Sequence, residues 1–415
     1  MTQPTDARLR DHPDFILFWI GRVASSLAFQ MLGVAIGWLI YEITGSAVAL
    51  GLVGLCQFLP MLGLSLLVGH VADTFDRRRI VATSLAVATA TLAGLAAGLA
   101  TGAVGIAGLY GAVAVIGAVR AFEHPTLSAL LPRLVPGAAL PKALAVSSSA
   151  IQTATIIGPA LGGLAYVLGP VAPIIGAATF YGAATLAILA IRHRAPRERR
   201  GPLTLASLLA GLSFIRRQKV VLGSISLDLF AVLLGGITAL LPMFARDVLH
   251  VGAEGMGLLR AAPAVGAMLM SLVLMRLPLS RAVGPTMFAA VAVFGVATIV
   301  FALSQSFTLS LLALLVTGAA DNVSVVIRSS LVQLSTPDEM RGRVSAVNSL
   351  FIGTSNQLGE FESGMVAALL GPVGAGLVGG IGTLVVVAAW MRLFPELRRV
   401  DAMPRQAAGP RPSGA

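Results

Sequence analysis

Twelve apolar runs alternate with short polar breaks along this chain, at 15–41, 47–70, 80–100, 104–123, 143–168, 172–191, 220–244, 255–275, 284–303, 308–327, 343–369 and 373–393. About 20 apolar residues in a helix rising 1.5 Å each cross the ~30 Å hydrocarbon core of a bilayer. The runs are rich in Ala, Gly, Leu and Val with few aromatics, which suits helices packed closely through small residues. Barrel strands would be shorter and would alternate polar with apolar positions. The pattern therefore predicts an all-α integral membrane protein with twelve transmembrane helices. The first run is too long for a signal-peptide core and no small-residue cleavage site follows it, so it reads as a permanent span. The longest break, 192–219, separates six runs from six. We expect an N-terminal six-helix bundle over 1–192, a cytoplasmic linker over 193–219 and a C-terminal six-helix bundle over 220–398. The segment 399–415, rich in Pro, Gly and Ala towards its end, is expected to be a disordered cytoplasmic tail.

Composition removes whole classes of function. Of 415 residues, 56% are hydrophobic and 11% charged, with a mean hydropathy of +0.89, whereas soluble domains carry about 25% charged residues. A cytosolic enzyme, a secreted disulfide scaffold and a disordered protein are all excluded. The single cysteine, Cys56, permits neither a disulfide framework nor a cysteine-rich metal site. The net charge of +11 is explained by position. With the N-terminus inside, 25 of the 29 basic residues fall on inward breaks and tails, including Arg77, Arg78 and Arg79, eight from Arg192 to Lys219, and five from Arg392 onward. Outward breaks hold only Arg246, and the runs hold Arg22, Arg120 and Arg260. That asymmetry is a positive-inside signal placing both termini in the cytoplasm. No run shows the interleaved aromatics or fold motif of a nucleic-acid binder.

The halves resemble each other. Gly158 and Gly163 match Gly359 and Gly364, and Leu168-Gly169-Pro170 matches Leu370-Gly371-Pro372, at nearly the same offset. Internal duplication around a basic central loop is how many secondary transporters are built. The second inward break, from Gly69 through Asp73 to Arg77 and Arg78, resembles the signature between helices 2 and 3 of the major facilitator superfamily, although Thr74 and Asp76 depart from it. Gly158-Pro159-Ala160-Leu161-Gly162-Gly163 resembles the Gly-Pro-x-x-Gly-Gly signature of that superfamily's exporters. Physically, Pro159 removes a backbone donor and the glycines admit a neighbouring helix, so packing alone is the competing reading. Tyr41-Glu42-Ile43-Thr44-Gly45-Ser46, His124-Pro125 through Pro132, and Pro337 through Val344 are similar to the enterobactin-exporter and macrolide-efflux branch.

Thr336, Pro337 and Glu339 read as a helix start with an N-cap, a first-turn proline and a capping-box acid. The resemblance implies that Asp73 sits against this positive helix end in the outward-facing state. With Arg77 and Glu123 it would make a cytoplasmic gate involving Gly69 and Arg78. On that reading, Asp73→Asn weakens vesicle transport without reducing membrane insertion; unchanged transport counts against it.

Charges inside a membrane are costly unless paired or hydrated, so the few present are candidates for function. The runs hold Arg22, Arg120, Glu123, Asp228, Arg260, Asp321, Glu360 and Glu362. The fold implied by the resemblance lines its cavity with runs one, four, seven and ten, which carry Arg22, Arg120, Asp228 and Asp321. Glu360 and Glu362 are about 200° apart on a helix, so both cannot face the cavity squarely. Asp228 and Asp321 are the candidate proton or cation sites, with Arg22 and Arg120 as counter-charges or substrate contacts; a structural ion pair is the alternative for each carboxylate. Gln30, Gln57, Gln152 and Asn356 are candidates to line the path or simply to join helices.

There is no Gly-x4-Gly-Lys-Ser/Thr phosphate loop, no histidine spacing for a metal and no nucleophile–base constellation. No cofactor, metal or catalytic residue is expected. The reading is a monomeric secondary transporter of a bacterial inner membrane, exporting a small organic molecule such as a siderophore or drug-like compound against proton entry. An importer on the same fold and a non-transporting accessory protein are the alternatives.

Overall fold

Each apolar run folds as helix because a chain in lipid must satisfy its backbone groups internally. The computed structural model describes residues 9–192, 205–277, 279 and 281–403. The first half contains α1 (Pro13–Thr44), α2 (Ala47–Thr74), α3 (Arg77–Ala100), α4 (Ile106–Leu130), α5 (Leu140–Tyr166) and α6 (Ala172–Ala190). After α7 (Leu205–Arg217), the second half contains α8 (Lys219–Leu234), the short α9 (Leu241–Met243), α10 (Ala253–Arg276), α11 (Val283–Leu303), α12 (Phe307–Ser335), α13 (Asp338–Leu393) and α14 (Pro395–Arg398). By length and composition, eleven stretches among the described residues can cross a membrane. The last is 55 residues long, about 80 Å at 1.5 Å per residue, and its helical geometry breaks at Gly371 (φ 73°, ψ 172°).

Local chemistry sets the ends. The Ser46 hydroxyl accepts from Ala49 N at 3.3 Å to cap α2, and Asp76 Oδ1 accepts from Arg78 N at 2.8 Å to cap α3. Gly45, at φ 56°, closes α1 in the left-handed conformation. Leu186, Val293, Val296 and Leu312 are exposed on the outer surfaces of their helices, as lipid-facing positions should be.

The halves repeat one packing scheme. In the first, α1 packs on α5 and α6, α2 on α4, and α3 on α4 and α6. In the second, α10 packs on α12, α11 on α12 and α13, and α8 on α13. The halves join along two seams, α2 with α13 and α5 with α10. Several close approaches lie towards the end of the bundle opposite the start of α1. A side chain at Gly51 would meet the backbone of Phe361 and Gly364, and one at Gly163 would meet the Ala253 carbonyl.

Two expectations, on run seven and on the tail, need correction, and the linker gains a helix. Run seven is not one helix: α8 ends at Leu234, Gly235 and Gly236 interrupt it, and the span resumes as a 3₁₀ turn, α9 and a π-helical turn over Phe244–Val248. Consecutive glycines weaken the helix there. The linker is helical over α7, where Gly211 lies against the Arg343 carbonyl of α13; residues 193–204 lie outside the described residues. The start of the expected disordered tail is docked, since Gly284 N donates to Val400 O at 2.9 Å and Ala282 N donates to Asp401 Oδ1 at 3.1 Å. The rest of that segment, 404–415, lies outside the described residues. Nearby, Lys219 Nζ donates to Glu396 Oε1 at 2.9 Å, which holds the Glu396 carboxyl below its ordinary range.

Candidate functional site

Intramembrane polar groups gather in three places. The first is a cavity of about 140 Å³ between the halves, lined by Phe29 and Gly33 of α1, Gln57 of α2, Arg260 of α10, and Gln357 and Glu360 of α13. The absence of a side chain at Gly33 makes room for the Arg260 guanidinium, and Gly54 does the same for Glu360. Arg260 and Glu360 lie within electrostatic reach of each other. Among the described residues, Gln357 Oε1 is buried without a hydrogen-bond partner.

A second cavity, about 190 Å³, lies on the C-terminal side and is lined by Thr298, Thr317, Asp321, Asn356 and Glu360, among others. Glu360 thus lines both cavities. Below Asp321 on α12, Arg328 Nη2 pairs with Asp228 Oδ2 of α8 at 3.2 Å, and both side chains are buried. Arg328 also donates to Asn348 Oδ1 at 3.5 Å. Asp321 and Arg328 are two turns apart on one face of α12, and Asp228 exerts its charge on Asp321. The C-terminal cluster therefore holds two carboxylates and one guanidinium.

The third place is inside the N-terminal half. Arg120 Nη1 donates to Glu123 Oε2 at 3.3 Å, with Glu123 almost fully buried. The Arg120 guanidinium lies 4.3 Å from the centre of the Phe29 ring, within cation–π range. Arg22 is buried, its guanidinium 5.9 Å from the Phe18 ring. This cluster holds two guanidiniums and one carboxylate, the opposite balance to the C-terminal one.

At the far end, the Tyr41 hydroxyl of α1 donates to Asp247 Oδ2 in the π-helical turn, and Arg246 Nη1 donates to Tyr41 O at 3.4 Å. These bonds tie one half to the other. Gln152 Nε2 of α5 donates across the second seam to Ala264 O of α10 at 3.1 Å.

Residues 7–413 match the family described as transmembrane secretion effectors of the major facilitator type. The chain belongs to this family. It is 27% identical to the "Enterobactin exporter EntS" of Citrobacter koseri over 413 residues, covering 98% of this chain and 97% of that one. It is 26% identical to the protein of the same name from Escherichia coli O81 over 402 residues, covering 96% of each. Among solved structures, a bacterial homologue of the human lysosomal transporter Spinster, inward-facing and unoccupied, aligns with TM-score 0.74 at 13% identity, covering 99% of this chain and 100% of that one. The nucleoside transporter NupG aligns with TM-score 0.66 at 14% identity, covering 91% and 99%. The structural likenesses carry the fold; the family and its relatives make this protein a secondary transporter embedded in a membrane, and not an enzyme.

Within this transporter the expected residues separate. Asp321 and Glu360 line cavities; Glu362 lines neither of the two described, as the 200° offset anticipates. Asp228 is spent on Arg328. Arg328, counted by its sequence position among the loop arginines, is instead buried within α12, which takes one residue off the positive-inside tally. Its spacing from Asp321 was the signal in the sequence that could have placed it. Gln30 lines neither cavity; its Cβ packs against Gly158. In the exporter-type motif, Gly158 and Gly162 face α1, while Gly163 and the Pro159 carbonyl face Ala253 and Gly257 of α10. The motif sits on a seam between the halves, where added bulk would hold them apart.

One pairing expected of the gate, that of Glu123 with Arg77, does not form among the described residues. Gly69 and Asp73 belong to the end of α2, where the backbone but not the Asp73 side chain is described. Glu123 is paired with Arg120 in the interior, not with Arg77 at the surface. Arg77 Nη1 instead donates to Ala129 O at 3.1 Å and Arg78 Nη2 to Leu189 O at 2.6 Å, satisfying carbonyls at the ends of α4 and α6. The capping box at Thr336 does not form either. The Thr336 hydroxyl donates back to Val332 O at 2.5 Å, and α13 starts at Asp338 without a side-chain cap.

Proposed function

We propose that this protein exports a small organic molecule, a siderophore or drug-like compound, from the bacterial cytoplasm by alternating access, in exchange for entering protons. The observation that carries this reading is Glu360, which lines both the cavity between the halves and the cavity that reaches Asp321. A carboxylate shared by the cavity between the halves and a charged relay couples occupancy of one to the protonation of the other. The kinship with enterobactin exporters over nearly the full length supports export.

In this reading α13 is two spans divided at Gly371, which with the other stretches makes twelve. The basic breaks support a reading in which both termini lie in the cytoplasm and the spans cross a bacterium's inner membrane, with the transporter working as a monomer. The seam closed at Gly51 and Gly163 then faces outward, and the bond of Tyr41 to Asp247 is an outer latch. Cavities of 140 and 190 Å³ are smaller than the roughly 300–1,000 Å³ typical of ligand pockets. A drug-sized substrate therefore enters only as the halves separate further.

Asp321→Asn keeps the shape of the side chain and removes its proton site. In inside-out vesicles energised by respiration, uptake of enterobactin or a macrolide is expected to follow the proton gradient in the wild type. The variant should lose at least about tenfold of gradient-driven uptake, equivalent to about 1.4 kcal/mol, while substrate-driven counterflow persists. Equal gradient-driven uptake by wild type and variant would remove Asp321 from coupling. Movement of substrate only in the opposite direction would establish an importer.

A further inference from the structure

The two buried charge clusters are out of balance in opposite senses, and the N-terminal one has a guanidinium to spare. Arg120 and Glu123 satisfy each other at 3.3 Å. Arg22 is 92% buried by its 8% exposure, its Nε has no hydrogen-bond partner, and no ion pair reaches it among the described residues. It lies within electrostatic reach of both Glu123 and Arg120, so one carboxylate serves two guanidiniums. An intramembrane arginine is costly unless it is paired or hydrated. The surplus charge calls for an anion.

The helix faces say where that anion would come from. Residues seven apart on a helix share a face. Arg22 is seven residues before Phe29, and Phe29, Gly33 and Ile36 line the cavity between the halves. On α4, Arg120 is seven residues after Val113 and four after Ile116, both of which line the same cavity. The arginines thus continue two walls of that cavity by one to two turns, about 5–11 Å, towards the end where α1 begins. Phe29 links the two regions, since its ring walls the cavity and carries the Arg120 guanidinium on its face at 4.3 Å.

We infer that Arg22 and Arg120 form an anion subsite for the transported molecule, and that the preferred ligand class is an aromatic organic acid. Its carboxylate would sit between the two guanidiniums, with Arg22 supplying the unused donors. Its ring would extend along Phe29 into the cavity. This deepens the transporter reading by naming a chemical class, and rests on it only for the claim that the ligand is cargo.

Binding separates the two claims. With the full-length protein purified in detergent, calorimetry is run with 1-naphthoate and its neutral analogue 1-naphthamide. The wild type is expected to prefer the carboxylate by about tenfold or more, the scale of one charge-assisted bond. Arg22→Gln leaves Arg120 and Glu123 balanced and should reduce that preference to about twofold or less. Arg22→Lys keeps the charge without the fork and should retain an intermediate preference, which guards against a folding defect in the glutamine variant. Equal binding of both probes by the wild type overturns the subsite, as does a preference that survives Arg22→Gln in protein with an unchanged melting temperature. A naphthoate preference abolished by Arg22→Gln, in a protein that moves no substrate across proteoliposomes, supports the subsite and counts against the transporter reading alone.

Discussion

Arg328→Met is expected to destabilise the protein by about 3–5 kcal/mol, the cost of leaving a buried charge without its partner. Arg328 and Asp228 are both buried and meet at 3.2 Å. Methionine fills much of the arginine's volume, so most of the loss comes from the stranded Asp228 carboxylate, with Asp321 on the same cluster adding repulsion. Melting of the detergent-solubilised protein should shift sharply downward. Adding Asp228→Asn removes the stranded charge and should recover most of the shift, because replacing a buried pair by neutral groups of similar size is often close to neutral. The same double variant decides the role of the pair. Folded protein that still couples substrate to protons makes the pair structural; folded protein that has lost coupling puts it in the relay. A single variant as stable as the wild type would contradict the burial described here.

Gly163→Val is expected to abolish closure of the α5–α10 seam. The added Cβ would collide with the Ala253 carbonyl, a backbone atom that cannot rotate aside. Small residues are used at such crossings because they let backbones approach closely, and a branched side chain removes that approach. Leu168 and Leu369 stand at the far ends of the two halves, 84% and 83% exposed, and suit paired spin labels. The label distance should lengthen in Gly163→Val, and vesicle transport should fall at least about tenfold. Tyr41→Phe supplies the milder comparison. It removes the hydrogen bond to Asp247, worth about 1.5–3 kcal/mol for a charged partner, and should populate the longer distance only partly. An unchanged distance distribution in Gly163→Val would show that this seam does not hold the halves together.

Much of the fold was legible along the chain because lipid leaves few options. Twenty apolar residues in a row must be helical, so runs such as 80–100 and 284–303 anticipated α3 and α11 within a few residues. The Gly158–Gly163 motif was legible as a close-packing element for the same reason. Other features were not. Gly235 and Gly236 looked like two more small residues in a glycine-rich chain, yet they end α8. Arg328 looked like a loop arginine because apolar length alone cannot tell where a span ends when its last turns carry a buried charge. Glu123 and Arg77 were adjacent in the motif's logic, but Arg120 lies one helical turn from Glu123 and reaches it first.

The candidate site divides along the same line. By itself the sequence determined that this is an all-helical membrane protein with few charges in its spans and a basic bias on alternate breaks, because hydropathy and charge act locally, residue by residue. Only the tertiary structure decided which charges meet. It put Asp228 on Arg328, turned Glu360 into both cavities, set Tyr41 against Asp247 across the halves and left Arg22 to share the Glu123 carboxylate with Arg120, with no ion pair of its own among the described residues. Pairing in a membrane depends on which helix faces are brought within a few ångströms of each other. That is a property of helix packing, which no stretch of sequence carries alone.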